Sequence, residues 1–101
     1  MSKHLKPIFP GEILLGEFLK PLEISQNKFA RDIDVPVARV NEIIKGKRSI
    51  STDTALRFAI YFGTSPEFWV NLQSRYDLKI AKKTLLSKIT RGVRPLERRV
   101  A

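Results

Sequence analysis

The feature that most constrains this chain is the tripeptide Asp34-Val35-Pro36, which separates two segments of helical periodicity, each only about two turns long. Ser25 is placed as the N-cap of the first, which runs through Ile33 with Phe29, Ala30 and Ile33 on one face. Proline disfavours helix in the residue before it yet suits a first helical turn, so the chain breaks at Val35 and restarts as a helix over Pro36 to Lys45. Val40, Ile43 and Ile44 form the buried side of this second segment, and Gly46 ends it in a left-handed conformation. Small Ala30 opposite branched Val40 and Ile43 lets two short helices cross closely, as a helix-turn-helix requires. The same features also fit an ordinary hairpin in a helical bundle.

The rest of the chain reads as helices with short turns and no strand. Ile13, Leu14, Phe18, Leu19 and Leu22 recur at helical spacing from Pro10 or Gly11 to about Pro21 to Glu23. Ser51 caps a further helix, with Asp53 in its first turn, an apolar face of Ala55, Leu56, Ala59, Ile60 and Phe62, and Gly63 as its stop. Ser65, Pro66 and Glu67 supply cap, first-turn proline and first-turn acid for a helix to about Lys82 or Lys83, with Trp69, Leu72, Tyr76 and Ile80 on one stripe and Phe68 beside it. Beyond Lys83, Leu85, Leu86 and Ile89 can add a turn or two, while Gly92, Pro95, Arg98 and Arg99 read as a solvated tail. The expected architecture is all-α: a single five-helix domain over residues 10–83, an N-terminal arm at 1–9 and a basic tail at 84–101.

A length of 101 residues suits one core. Lysine and arginine number 19 against 10 acids, giving a net charge of +9, the electrostatic footprint of a nucleic-acid or anionic-membrane binder. Residues 1–24 are balanced, and the surplus grows from the middle of the chain toward its C-terminus. No run of about 18 apolar residues is available to span a bilayer, and Met1 to Pro10 lacks the apolar stretch of a signal peptide, so the chain is expected to act in the cytoplasm without a membrane partner. The absence of cysteine removes disulfides, thiolate metal sites and thiol nucleophiles. His4 stands alone, so neither a metal site nor a histidine-centred triad can be assembled. Glu12, Glu17 and Glu23 are spread around the first helix and read as solvated, not as an acid/base set. Neither enzymatic activity nor a cofactor is expected. The aromatic set Phe62, Phe68, Trp69 and Tyr76 has helical spacing, which favours core packing over base stacking.

If the paired helices bind double-stranded DNA, the second offers its outward N-terminal residues to the major groove. Val37 and Ala38 come first and can touch only thymine methyl groups, which leaves polar discrimination to Arg39, Asn41 and Glu42. Arg39 equally suits a phosphate or solvent, and Asn41 and Glu42 equally suit fixing neighbouring side chains. Lys45, Lys47 and Arg48 cluster beside the helix end as expected phosphate contacts. One such helix reads only a few base pairs, so a homodimer on a palindromic operator is expected, with the fifth helix and the residues beyond it as the dimer surface. The tail after Lys79 can add nonspecific phosphate contacts, bind an acidic membrane surface or remain solvated.

Ser25-Gln26-Asn27-Lys28-Phe29-Ala30 and the run Val40-Asn41-Glu42-Ile43-Ile44-Lys45-Gly46-Lys47-Arg48-Ser49-Ile50-Ser51 resemble the helix-turn-helix of lambda-repressor-like and Cro-like regulators. Pro10-Gly11-Glu12-Ile13-Leu14, the Gly46 to Ser51 stretch, and Phe62-Gly63-Thr64-Ser65-Pro66-Glu67-Phe68-Trp69 with Leu72-Gln73 and Tyr76-Asp77-Leu78 are similar to the HigA antitoxin family, across residues 8–83. The sequence departs from the pattern at Asp34, where glycine is common, and at Pro36, where a polar residue is common. The resemblance implies phosphate binding by Gln26 and Asn27 at the start of the helix that Ser25 caps. It also implies repression of the chain's own operon and neutralisation of a HigB-type toxin, an mRNA-cleaving ribonuclease. The alternative is a stand-alone phage or chromosomal repressor with no toxin. Because such toxins tend to be basic, the balanced segment Met1 to Glu23 suits the toxin better than the basic C-terminal half.

Overall fold

The computed structural model describes residues 7–97, and His4, Arg98 and Arg99 lie outside them. Among the described residues there are six α-helices and no strand. Helix α1 (Pro10–Ile13) continues directly into a π-helical segment, Leu14–Leu19, and is followed by α2 (Gln26–Ile33), α3 (Val37–Ile44), α4 (Thr52–Phe62), α5 (Pro66–Thr84) and α6 (Leu86–Gly92).

Local chemistry sets most of the boundaries. Ser25, Ser51 and Ser65 each take extended backbone, and their hydroxyls accept the amides of Lys28, Thr54 and Phe68. Asp34 is left-handed at φ 61°, in the turn where glycine is the commoner residue, and Gly63 closes α4 at φ 75°. Pro36 occupies the N-cap of α3 with ψ 142°, one position earlier than a first-turn proline, so α3 begins at Val37.

The core joins Leu14, Leu19, Phe29, Ala30, Val40, Ile43, Ala55, Phe58 and Trp69. Phe29 is its aromatic hub, with ring centroids 5.2 Å from Phe58, 5.1 Å from Tyr61 and 5.2 Å from Phe62. Trp69 packs on Phe58 and Phe18 at 5.0 Å each, and its indole N–H donates to Thr64 Oγ1 at 2.8 Å.

Three expectations need correcting. The first helix does not keep a 3.6-residue period. Lys20 donates to the Leu15 carbonyl and Ile24 to the Leu19 carbonyl, each five residues back, and the wider turn buries Leu14 and Leu19 together. The chain then reverses at Glu23, φ 56°, so Leu22 is left 57% exposed instead of in the apolar stripe. On α4, Phe58 is buried in place of Leu56 and Ile60, which are 49% and 84% exposed, because α2 and α5 cover the side carrying Ala55, Phe58 and Ala59. Finally, the weak signal after Lys83 forms a sixth helix. The Thr84 hydroxyl donates back to the Ile80 carbonyl at 2.9 Å, and Leu85 leaves helical geometry at φ −122° before α6 restarts. Nothing in α6 is buried, and α5 buries only Trp69 and Gln73, so the C-terminal part of α5 projects from the core with α6.

Candidate nucleic-acid interface

Helices α2 and α3 pack together, and Ala30, Val40 and Ile43 are all buried in the one core cluster. The left-handed Asp34 and the rigid Pro36 make the turn between them, and Arg57 of α4 fastens it. Arg57 Nη1 donates to the Ile33 carbonyl at 2.7 Å and the Asp34 carbonyl at 3.1 Å, and Nε donates to Asp53 Oδ1 at 2.7 Å. One planar guanidinium thus satisfies carbonyls at the end of α2 while anchored to the first turn of α4. The hydrogen bond from Arg57 holds the Asp53 carboxyl below the usual carboxylate range, with a smaller contribution from nearby Arg39.

Burying Val40 and Ile43 turns the other side of α3 outward. Val37 and Ala38 are exposed at its start, while Arg39, Asn41 and Glu42 are half-buried along it. Lys45, Lys47 and Arg48 are all exposed just past its end. The expected base-facing residues thus lie along α3, and the expected phosphate-facing Lys45, Lys47 and Arg48 follow it directly in the chain. Gln26, half-buried, and Asn27, exposed, stand in the first turn of α2, where backbone N–H groups have no helical partner. Arg39 turns toward a polar groove that Arg48, Arg57, Ser49 and Ser51 also line.

The end of α3 is closed doubly: the Gly46 amide donates to the Ile43 carbonyl at 3.1 Å and the Lys47 amide to the Glu42 carbonyl at 2.8 Å, with Gly46 left-handed at φ 77°. Two elements distant in sequence brace the loop between α3 and α4. The Phe9 ring lies across Gly46 and meets Tyr76 edge-on at a centroid distance of 6.2 Å, and buried Gln73 accepts the Ile50 amide at 2.8 Å while donating to Asp77 at 2.9 Å. Tyr76 therefore packs on the N-terminal segment, apart from the Phe62, Phe68 and Trp69 cluster. At Gly11 the backbone of α1 touches that of α3 so closely that a Cβ would overlap the Ile43 carbonyl oxygen.

Two ion pairs sit on or beside this surface. Arg48 Nε donates to Glu42 Oε1 at 2.7 Å, and Lys28 Nζ donates to Asp32 Oδ2 at 2.6 Å, on the oxygen that also accepts the Tyr61 hydroxyl at 3.0 Å. The Lys28 bond, seconded by Tyr61, lowers the Asp32 pKa, and the same bond raises that of Lys28. Among the described residues, Arg39, Lys45 and Lys47 have no ion-pair partner and contribute uncompensated positive charge. Sequence reasoning missed Arg57, Gln73 and Phe9 as residues that set this surface. The spacing of Asp53 and Arg57, four apart, was the one readable signal among them. No group of acids and histidines able to hold a metal ion occurs among the described residues, and no helix there is long and apolar enough to cross a membrane.

Residues 15–69 match the helix-turn-helix family HTH_3. A curated relative, virulence-associated protein I of Dichelobacter nodosus, is 46% identical over 82 residues, which are 81% of this chain and 76% of the relative. Among solved structures, an addiction module antidote protein of a HigA family from Coxiella burnetii is 48% identical with a TM-score of 0.84, over 91% of this chain and all of that one. The Pseudomonas aeruginosa antitoxin HigA, solved with the higBA promoter, is 44% identical with a TM-score of 0.86, over 90% of this chain and 99% of that one. With its helix pair, its turn and these relatives all in agreement, the chain belongs to the helix-turn-helix family, within its HigA group.

Proposed function

We propose that this chain is a sequence-specific DNA-binding antitoxin that represses its own operon and neutralises a HigB-type ribonuclease toxin. The observation that carries the reading is the exposure of Val37 and Ala38 at the start of α3 and of Lys45, Lys47 and Arg48 just past its end, with Arg39, Asn41 and Glu42 half-buried between them. Its likeness to an antitoxin solved with promoter DNA supports the same assignment. Lysine and arginine supply affinity by releasing counterions from phosphates, and the free amides and side chains of Gln26 and Asn27 add a phosphate contact across the groove. Thymine methyl groups suit Val37 and Ala38, and polar base edges suit Arg39 and Asn41.

Two copies are needed to read a palindrome, and the projecting end of α5 with α6 is the surface that joins them. Leu78, Leu85, Leu86 and Ile89 are about half exposed there, and none belongs to the buried core. The toxin docks on the N-terminal side, where Glu12, Glu17 and Glu23 are exposed and suit a basic partner.

Fluorescence anisotropy on duplex DNA from upstream of the chain's own gene, titrated with salt and against random competitor, tests the repressor half. Tight, competitor-resistant binding with a steep salt slope is expected, and it should be lost in an Arg39→Ala, Asn41→Ala double variant. Equal weak binding to every duplex would overturn it. Co-expression with the product of a neighbouring short basic gene tests the antitoxin half, with rescue of growth as the expected result and continued arrest as the contrary one.

A further inference from the structure

Ala38 and Glu42 lie one helical turn apart on the side of α3 opposite Val40 and Ile43, so Glu42, the one acid of α3, stands on the side turned away from the core. Its carboxylate is already engaged. Oε1 accepts Arg48 Nε at 2.7 Å, and the Glu42 backbone carbonyl accepts the Lys47 amide at 2.8 Å. One helix residue thus holds two consecutive loop residues, through its main chain and its side chain.

We infer that Glu42 is a positioning residue that orients Arg48 toward a DNA phosphate, and that it does not read a base. The inference rests on the DNA-binding reading above. A guanidinium carries five N–H donors in a fixed fork, and engaging Nε leaves the four on its two terminal nitrogens for phosphate oxygens. A Glu42 that read a base would accept from cytosine N4 and would have to release Arg48 to do so. The pair also cancels a negative charge that would otherwise face the phosphates. Both side chains are about half exposed, so the pair adds little to folding stability, and its value lies in where it holds the guanidinium.

The test is a double-mutant cycle of Glu42→Ala and Arg48→Ala, with Glu42→Gln added, measured by anisotropy on the upstream duplex and on a random duplex across a range of salt. Arg48→Ala is expected to weaken binding to both duplexes about tenfold and to lower the salt slope by about one. Glu42→Ala should cause a smaller loss on both, and the double variant should be no worse than Arg48→Ala alone. Glu42→Gln, whose amide oxygen still accepts Nε–H, should recover part of that loss. Penalties for single base-pair changes in the upstream duplex should be the same with and without Glu42. Relaxed discrimination at one base pair with the salt slope intact would overturn the inference, and so would additive losses. A wild-type chain that fails to distinguish the two duplexes sinks the repressor reading alone, because a phosphate contact is independent of sequence and the cycle on random DNA still decides the pair.

Discussion

Arg57 Nη1 lies 2.7 Å from the Ile33 carbonyl oxygen, so a residue of α4 closes the end of α2 across 24 positions of sequence. With its second bond to the Asp34 carbonyl, it ties the turn between α2 and α3 to α4. Arg57→Lys keeps the charge and loses the planar fork, so it cannot serve Asp53 and the two turn carbonyls together. The expected outcome is a lower Tm by circular dichroism and weaker DNA binding by anisotropy, with Arg57→Ala worse in both. Wild-type DNA affinity in a folded Arg57→Ala chain would show that the turn holds its own geometry.

The two glycines of the first helical stretch should behave in opposite ways. A Cβ on Gly11 overlaps the Ile43 carbonyl oxygen, whereas one on Gly16 meets nothing within 4 Å. Gly11→Ala should therefore destabilise the chain by about 2–3 kcal/mol, the cost of forcing two backbones apart. Gly16→Ala should be neutral or stabilising by about 0.5–1 kcal/mol, since alanine loses less freedom on folding. Urea unfolding of the two variants measures both, and equal effects would contradict the close approach of α1 and α3.

Phe58 and Ile60 are two positions apart on α4, yet only Phe58 touches the core. Phe58→Ala is expected to cost about 3–5 kcal/mol, because the ring is fully buried against Phe29 and Trp69. Ile60→Ala should stay within about 0.5 kcal/mol of wild type, as an exposed change away from such contacts. Reversed magnitudes in chemical denaturation would mean that α4 presents its other face to the core.

Asp32 and Asp53 each have a lowered pKa, the first mainly through the Lys28 hydrogen bond and the second mainly through that of Arg57. A carboxyl whose pKa is lower folded than unfolded contributes stability above its unfolded pKa and loses it as pH falls through the folded one. Tm should change little between about pH 7 and pH 5 and fall below about pH 4. An Asp32→Asn, Asp53→Asn variant should be less stable than wild type at neutral pH, with a gap that closes as acid protonates the wild-type pair. A gap that stays constant down to about pH 3 would contradict the shifts.

The legible parts of the fold were those set by local chemistry. Ser25, Ser51 and Ser65 cap through amides three residues away, and Asp34, Gly46 and Gly63 are marked by the backbone geometry they must adopt. The outward side of α3 came from Val40 and Ile43 by periodicity alone. Leu22 misled because a 3.6-residue period was carried through a π-helical segment, and Leu56 and Ile60 misled because α4 has two apolar sides and its neighbours choose between them. Arg57, Gln73 and Phe9 were illegible for a further reason. Each acts on a partner more than 20 residues away, and no pattern within a helix encodes that meeting.

The π-helical stretch at Leu14–Leu19 is equivalent to one extra residue inserted into an ordinary helix. Deleting a residue there would restore a regular helix and rotate everything before it by about 100° relative to Leu19. Gly11 would then swing off the Ile43 carbonyl, and Phe9 off Gly46, although neither residue had been altered. The inserted residue thus acts as a phase setting, choosing which side of the first helix meets the end of α3.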